Sequence, residues 1–168
     1  MKFFITFGTH DFLKTIYEKY RDKHAIYLLD GGGASALVLE SLKKSIFKSG
    51  KSYEVIDASG DFARATFVVM NNIPVAHEDE NVFRYEAKKR SEMMMKQPGC
   101  LGTRILKPIK GDNYIIVSMW DSAGDFKRFQ ASPHFDKQAG PSPTIPQEMF
   151  TGKAYLKKYT VYRQELED

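Results

Sequence analysis

The residues most able to do chemistry lie in the second half of the chain. Asn71 and Asn72 interrupt the apolar segment TFVVMNNIPV, and a side-chain amide that is buried there needs a hydrogen-bond partner. Alternatively, the pair simply ends a strand at the rim of a sheet. Further along, the stretch WDSAGDFKRFQASPHF places Phe126 and Phe129 three residues apart. This spacing puts both rings on one face of a helix, where they form either part of a core or a flat wall for a ligand.

The chain has four histidines, and no two of them have the spacing of a helical metal site. His134 follows the predicted aromatic helix, and His77 follows the strand that contains Asn71. Lone histidines are more often surface or structural residues than metal ligands. Cys100 is the single cysteine, which excludes an internal disulfide framework and a cysteine-rich metal site. We expect Cys100 to be a small apolar filler.

A repeated order of elements positions these residues. The first half predicts the order β-α-β-β and a further short element at 53–57, with Asp11 as the helix N-cap. Its elements are KFFITFG (2–8), FLKTIYEKYRDK (12–23), AIYLLD (25–30) and SALVLES (35–41). The second half predicts β-α-β-β-α-β, which is the ferredoxin-like order. Its elements are the strand 66–75, the helix 82–97, the strands 103–109 and 114–120, the helix 121–132 and the strand 154–164.

The predicted fold is therefore α+β and ferredoxin-like, of the dimeric α/β barrel type. A small antiparallel sheet needs a second layer. We expect two ferredoxin-like units, residues 1–62 and 65–168, to pack sheet to sheet around a shared apolar cavity. The protein would then be a monomer that acts as an internal pseudo-dimer.

Composition and charge restrict the partners. The net charge of +4 is compatible with an anionic ligand, but basic and acidic residues are interspersed along the chain. The densest basic run, Lys88-Lys89-Arg90, lies on a predicted helix and is interpreted as a solvated face, so no nucleic-acid partner is expected. No apolar run approaches the ~20 residues that span a bilayer. The first residues indicate a strand and not a signal peptide, so we expect a cytoplasmic protein without a membrane partner.

Four phrases of the sequence resemble a known family. ITFGTHDFLKTI, YEVID, VVMNNIPV and the stretch from Trp120 to Phe135 are similar to the antibiotic biosynthesis monooxygenase (ABM) family. Within it, the resemblance is to the two-part haem-degrading monooxygenases of the HmoB type and to TRAP-like signal transduction proteins. It implies a haem-binding, haem-degrading monooxygenase that uses O2 and an external electron donor. Haem would be both substrate and cofactor. The hydrogen-bond donors of the pocket and the iron ligand would decide how oxygen is handled.

The resemblance also assigns roles to residues. In that family an Asn hydrogen-bonds near the distal oxygen, a Trp ruffles the porphyrin and a His is the axial iron ligand. Asn71 takes the position of this Asn, Phe129 that of the Trp and Ala139 that of the His. Phe129 would then wall the porphyrin. Because alanine cannot bind iron, His134 is the remaining candidate for the metal ligand, with His77 as a second.

The alanine at position 139 leaves two alternatives open. One is a non-catalytic, TRAP-like stress or signalling protein that retains the fold without the axial histidine. The other is a cofactor-independent monooxygenase that acts on an aromatic small molecule, with Asn71 as the orienting polar group. In every case but the signalling protein, the expected partner is haem or another flat apolar molecule.

Overall fold

The computed structural model describes residues 1–136, 140–141 and 152–163. In these ranges it has an α+β fold, as predicted. The elements are β1 (Lys2–Gly8), α1 (His10–Tyr20), β2 (Ala25–Asp30), β3 (Ser35–Ser41), β4 (Lys51–Gly60), β5 (Phe67–Pro74), α2 (Glu80–Met95), β6 (Cys100–Pro108), β7 (Asn113–Trp120), α3 (Ala123–Gln130), β8 (Phe135–Asp136), β9 (Gly140–Pro141) and β10 (Tyr155–Val161). A short 3-10 helix, His77–Asp79, precedes α2.

Eight of these strands form a closed antiparallel barrel in the order β1-β3-β2-β10-β5-β7-β6-β4. Within it, β4-β1-β3-β2 and β10-β5-β7-β6 each have the ferredoxin-like order, which confirms the two-unit prediction. The sheets are joined at both edges, because β4 pairs with β6 and β10 pairs with β2. Closure of this kind removes the free edges that a single small sheet would expose.

The pairing register defines which residues of the two halves are equivalent. Phe3 pairs with Tyr53 in the first half as Val68 pairs with Tyr159 in the second, and all four side chains point into the barrel. In this frame β1 corresponds to β5, β2 to β6, β3 to β7 and β4 to β10. The correspondences agree around the whole barrel, so residues of the two halves can be compared one by one.

The barrel interior, predicted to hold a shared apolar cavity, is packed with side chains in the described ranges, where a buried ion pair joins the halves. Arg104 of β6 donates from Nε to Glu40 of β3 at 2.6 Å, and both side chains are less than 10% exposed. Phe62, from the segment between the halves, enters the same end of the barrel. Its ring is stacked on Tyr27 at 4.7 Å, and the Arg104 guanidinium lies 5.8 Å from its centroid. Burial, followed by the negative charge of Glu40, raises the pKa of Tyr27.

The outer face of the first-half sheet carries α1, and that of the second-half sheet carries α2 and α3. Thr9 caps α1, since its Oγ1 accepts from the backbone N–H of Phe12 at 3.3 Å; the predicted cap, Asp11, instead lies in the first turn. Ser122 caps α3 in the same way. Where the second half has α3, the first half has the non-helical segment 42–50. None of the helices in the described ranges is long and apolar enough to cross a membrane.

Candidate functional site

Three polar side chains run diagonally across the outer face of the second-half sheet. They are Asn71 of β5, Ser118 of β7 and Thr103 of β6, each less than 4% exposed. Ser118 pairs with Thr103 on one side and with Val69, two residues before Asn71, on the other. Side chains in such diagonal positions are within about 8 Å of one another. Strand alternation turns all three toward the helices, and we call this set the polar row.

The polar row is incompletely satisfied. Ser118 Oγ accepts from Trp120 Nε1 at 2.9 Å. Among the described residues, however, Thr103 Oγ1 and the Oγ of Ser91 on α2 have no hydrogen-bond partner. A buried hydroxyl without a partner costs about 1–3 kcal/mol, so these two groups oppose folding of the sheet–helix layer.

The covering face of α2 is also partly polar. Phe83, Ala87, Arg90, Ser91 and Met94 are its buried residues, which lie on one helix face. Arg90 is 0% exposed, and an arginine keeps its positive charge in a protein. The prediction that the run ending in Arg90 is a solvated face is therefore wrong at this residue, although Lys88 and Lys89 are exposed. Arg90 therefore contributes a positive charge to the layer between α2 and the sheet.

Aromatic rings fill the part of the layer under α3. Phe129 is stacked on Trp120, with centroids 5.5 Å apart and planes at 26°, while Phe126 meets Trp120 edge-on at 5.6 Å. Phe135 packs edge-on against both phenylalanines. We call Trp120, Phe126, Phe129 and Phe135 the aromatic cluster. Each such pair contributes about 0.5–1.5 kcal/mol beyond burial, so Phe129 is held in a fixed orientation on the sheet.

The predicted site residues are placed as follows. Asn71 lies on the sheet face, and its β10 neighbour Leu156 packs in the same core cluster as Phe129. His134 is exposed and directly precedes Phe135, at the edge of the aromatic cluster. Ala139 lies outside the described residues. Among those residues, no three His, Cys, Asp or Glu side chains come together as a metal site.

A cavity of about 360 Å³ opens at the end of α3. It is lined by Lys127, Gln130, Ala131, Phe135 and Leu156. Phe135 belongs to the aromatic cluster and Leu156 is paired with Asn71, so the cavity lies beside both parts of the site. Its volume is within the range of about 300–1,000 Å³ typical of small-molecule sites. It is a shallow, open depression in which Lys127 and Gln130 stand beside the apolar residues Ala131, Phe135 and Leu156.

A polar bridge fixes the start of α2 to the sheet. Glu80 Oε1 accepts from the Tyr114 hydroxyl at 2.7 Å and from Lys107 Nζ at 2.8 Å. The hydrogen bonds from Lys107 and then Tyr114 lower the pKa of Glu80. Burial, followed by the bond to Glu80, raises the pKa of Tyr114. This bridge holds the helix that carries Arg90 over the sheet.

Sequence reasoning missed most of the polar part of this site. Ser118 did give a signal, since it is the single polar residue inside the segment YIIVSMW. Thr103 gave none, because threonine is common in strands. Cys100 is partly buried next to the site, and burial raises the pKa of its thiol to about 11, in keeping with a filler and not a nucleophile.

The fold and this layer define a ferredoxin-like α+β barrel protein whose second half has a polar and aromatic layer between sheet and helices. Residues 66–139 match the family model described as antibiotic biosynthesis monooxygenase. The second half is therefore similar to that family over most of its length.

Relatives extend the similarity over both halves. A haem-degrading monooxygenase of Listeria monocytogenes is 29% identical over 132 residues, which are 79% of this chain and 78% of that protein. The signal transduction protein TRAP of Staphylococcus epidermidis is 25% identical over 137 residues, or 82% and 81% of the two chains. Among solved structures, a major regulator of staphylococcal pathogenesis matches with a TM-score of 0.82 at 21% identity, covering 97% of this chain and all of that one. The last similarity establishes the fold alone.

Proposed function

We propose that the second half binds haem against the polar row and the aromatic cluster, and degrades it oxidatively with O2 and electrons from an external reductant. The observation that carries this proposal is the buried amide of Asn71, on the sheet face under α2 and α3 and beside an open cavity. The similarity to a haem-degrading monooxygenase over both halves supports it.

The residues present fit the organic part of haem better than its iron. Phe135, at the edge of the aromatic cluster, offers apolar surface, and Lys127 offers positive charge for the propionates. Only two of the four histidines, His77 and His134, lie in the second half. His134 adjoins the aromatic cluster, whereas His77 lies in the 3-10 helix before α2. We therefore assign the iron contact to His134.

The three assigned residues would have distinct tasks. Asn71 would donate a hydrogen bond from its amide and orient the oxygen that attacks the ring. Phe129, fixed by Trp120, would wall the ring and exclude water. His134 would hold the iron through a neutral imidazole nitrogen. Haem itself supplies the redox chemistry when it is bound.

Haemin titration tests the proposal. We expect a saturable Soret shift at one equivalent, and loss of the Soret band when ascorbate is added in air. His134→Ala should abolish the shift, while His77→Ala, the matched control, should leave it unchanged. If no saturable shift occurs with the native chain, haem binding is excluded. If His77→Ala abolishes the shift instead, the ligand assignment moves to His77.

A second candidate function has its own observation. Phe129 is 3% exposed and covers Trp120 face to face, so part of the surface that would hold a porphyrin is already filled. A non-catalytic signalling protein of the TRAP kind fits this packing, and the 25% identical TRAP sequence supports it. Haemin binding without loss of the Soret band, or no binding at all, would favour this candidate.

A further inference from the structure

The first half has its own cavity, on the outer face of its sheet. It has a volume of about 400 Å³ and lies between α1 and the segment 46–49. Thr6 is at its floor and is 7% exposed. In the register of the barrel, Thr6 follows Ile5 as Asn71 follows Met70, so Thr6 is the first-half equivalent of Asn71. The cavity therefore lies on the counterpart of the face that carries the second-half site.

The cavity exists because the first half lacks a second helix. The segment 42–50 replaces it and packs only Ile46 and Phe47 against the core below α1. Ser45 Oγ accepts from the Phe47 backbone N–H at 2.9 Å, which fixes the turn. At its end, Gly50 has φ +127°, and a Cβ there would lie 2.3 Å from the carbonyl oxygen of Ile5. The chain is thus anchored at both sides of the opening.

The walls of the cavity are apolar. Phe12, Ile16 and Tyr20 line it from α1, and Ile46 and Phe47 line it from the opposite segment. Phe12 is 59% exposed, which is unusual for a large apolar side chain on the inner edge of a helix. A surface of this kind gains free energy when an apolar ligand covers it, at roughly 25 cal/mol per Å² of apolar area removed from water.

The charged groups at the cavity have one sign. Lys19 and Lys48 are among the lining residues, which include no Asp or Glu. The Lys19 ammonium lies 5.3 Å from the Tyr20 ring centroid, at the mouth of the cavity. The nearby acid of α1, Glu18, is paired with Lys14 at 4.0 Å. Both lysines of the cavity are therefore able to meet an anionic head group.

We propose that this cavity binds an amphipathic monocarboxylate, a medium-chain fatty acid, as a second ligand. The alkyl chain lies between Phe12 and Phe47, and the carboxylate lies between Lys19 and Lys48. The apolar side chains and the two lysines of the lining match such a molecule in polarity and charge. This site is separate from the haem proposal, since it uses no residue of the second half.

Isothermal titration with dodecanoate below its micelle concentration tests the proposal. We expect saturable binding at one equivalent. Lys19→Glu combined with Lys48→Glu should weaken it at least about tenfold, because two attractive charges become repulsive. Lys43→Glu combined with Lys44→Glu makes the same change in net charge on exposed lysines outside the cavity, and should leave binding unchanged.

Three results would overturn the proposal. They are the absence of binding by the native chain, equal weakening by both double variants, and equally tight binding of dodecyltrimethylammonium, which has the opposite head-group charge. Amide NMR shifts should be confined to the surroundings of Thr6, to α1 and to the segment 46–49. Shifts at Phe126 and Phe129 instead would place the ligand in the second half. Binding should persist in Asn71→Thr, so failure here and failure of the haem proposal are distinguishable.

Discussion

The two halves share strand order and register but differ in what they bury between sheet and helix. Where the second half has Thr103 and Ser118, the equivalent positions of the first half have Ile26 and Leu39, which are buried and apolar. The fold therefore forms with apolar residues at these positions. Polar residues at these positions are not required by the architecture, and the desolvation of their side chains opposes folding. The polar row is thus a difference between the halves, and it lies within residues 66–139, the range that matches the family model.

A second difference concerns the bridges that tie each first helix to its sheet. In the first half, Asp30 accepts from Ser35 at 2.8 Å and lies 2.7 Å from His10 of α1. Asp30 is equivalent to Lys107, so the sheet end of the bridge is negative in one half and positive in the other. In the second half Glu80, at the start of α2, supplies the opposite charge. The position of the bridge is thus set by the fold, while its polarity is free to differ.

The largest effect is expected where the halves meet inside the barrel. Glu40 is equivalent to Met119, so Glu40→Met makes the first half more like the second. The variant leaves the Arg104 guanidinium buried without its carboxylate, and breaking a buried pair costs about 3–5 kcal/mol. Because Arg104 also donates to the carbonyl oxygens of Ser59 and Thr103, we expect the lower end of this range. Urea unfolding measures the loss.

The double variant Glu40→Met with Arg104→Met is the control for that prediction. It removes both charges, so it should be less destabilised than Glu40→Met alone. A loss below about 1 kcal/mol in the single variant would show that the pair does not couple the halves, since such a loss is typical of an exposed pair.

The next prediction compares stability in the two helix layers. The layer of the second half is filled by the aromatic cluster, whereas that of the first half contains a cavity. Phe129→Ala removes a ring that is 3% exposed and stacked on Trp120, and should cost about 3 kcal/mol or more. Phe12→Ala, in the open layer, should change stability by no more than about 0.5 kcal/mol. In thermal denaturation the first variant should melt roughly 6–12 °C below the native chain and the second within about 2 °C of it. Equal shifts would contradict the comparison.

Asn71 offers a direct exchange between the halves. Asn71→Thr gives the second half the residue that the first half has at Thr6. If the amide orients oxygen, the rate of Soret loss should fall by about tenfold or more, as on removal of other positioned donors. Asn72→Thr is the matched control, because Asn72 points into the barrel, where its Oδ1 accepts from Asn113. Equal rates in the two variants would remove Asn71 from the mechanism.

Much of the fold could be predicted from the sequence, for physical reasons that particular segments illustrate. The strands 2–8, 25–30 and 35–41 have the predicted bounds, because each is a mainly apolar run that is bounded by glycine or by turn residues. The order of strands and helices in the two units could be predicted by counting such segments. The pairing of the two sheets at their edges could not be predicted in this way, because pairing between distant strands depends on register and not on composition.

The candidate site was less predictable than the fold. Asn71 and the two phenylalanines of α3 stood out because they break or complete a periodic pattern. Arg90 did not, since two exposed lysines precede it and only the helix phase turns it inward. Thr103 is distinguished only by comparison with its equivalent in the first half, Ile26, which is apolar. Such residues are recognised by comparison between the halves and not by their type.

The bridge at the start of α2 predicts a dependence on pH. The pKa of Glu80 is lowered in the folded state below its usual value of about 4.3, so its ionised form contributes stability above that pH. This contribution is lost as the pH falls through the folded-state pKa. Glu80→Gln should therefore cost about 1 kcal/mol at pH 7 and nothing at a pH below the folded-state value. Urea unfolding at several pH values measures this difference, with the exposed Glu78→Gln as the control that should show neither effect.

The smallest expected effect is a gain in stability and not a loss. Thr103→Val keeps the shape of the side chain and removes the hydroxyl that has no partner among the described residues. If that hydroxyl serves only a ligand, the variant should be more stable than the native chain by about 0.5–1 kcal/mol, because a buried polar group is replaced by an apolar one. Ile26→Val, at the equivalent position of the first half, should instead lose about 1 kcal/mol through the missing methyl group. Stabilisation in one half and destabilisation in the other would show that Thr103 is kept at the expense of stability. A loss of stability in Thr103→Val would mean that the hydroxyl is satisfied in the folded chain and belongs to the scaffold.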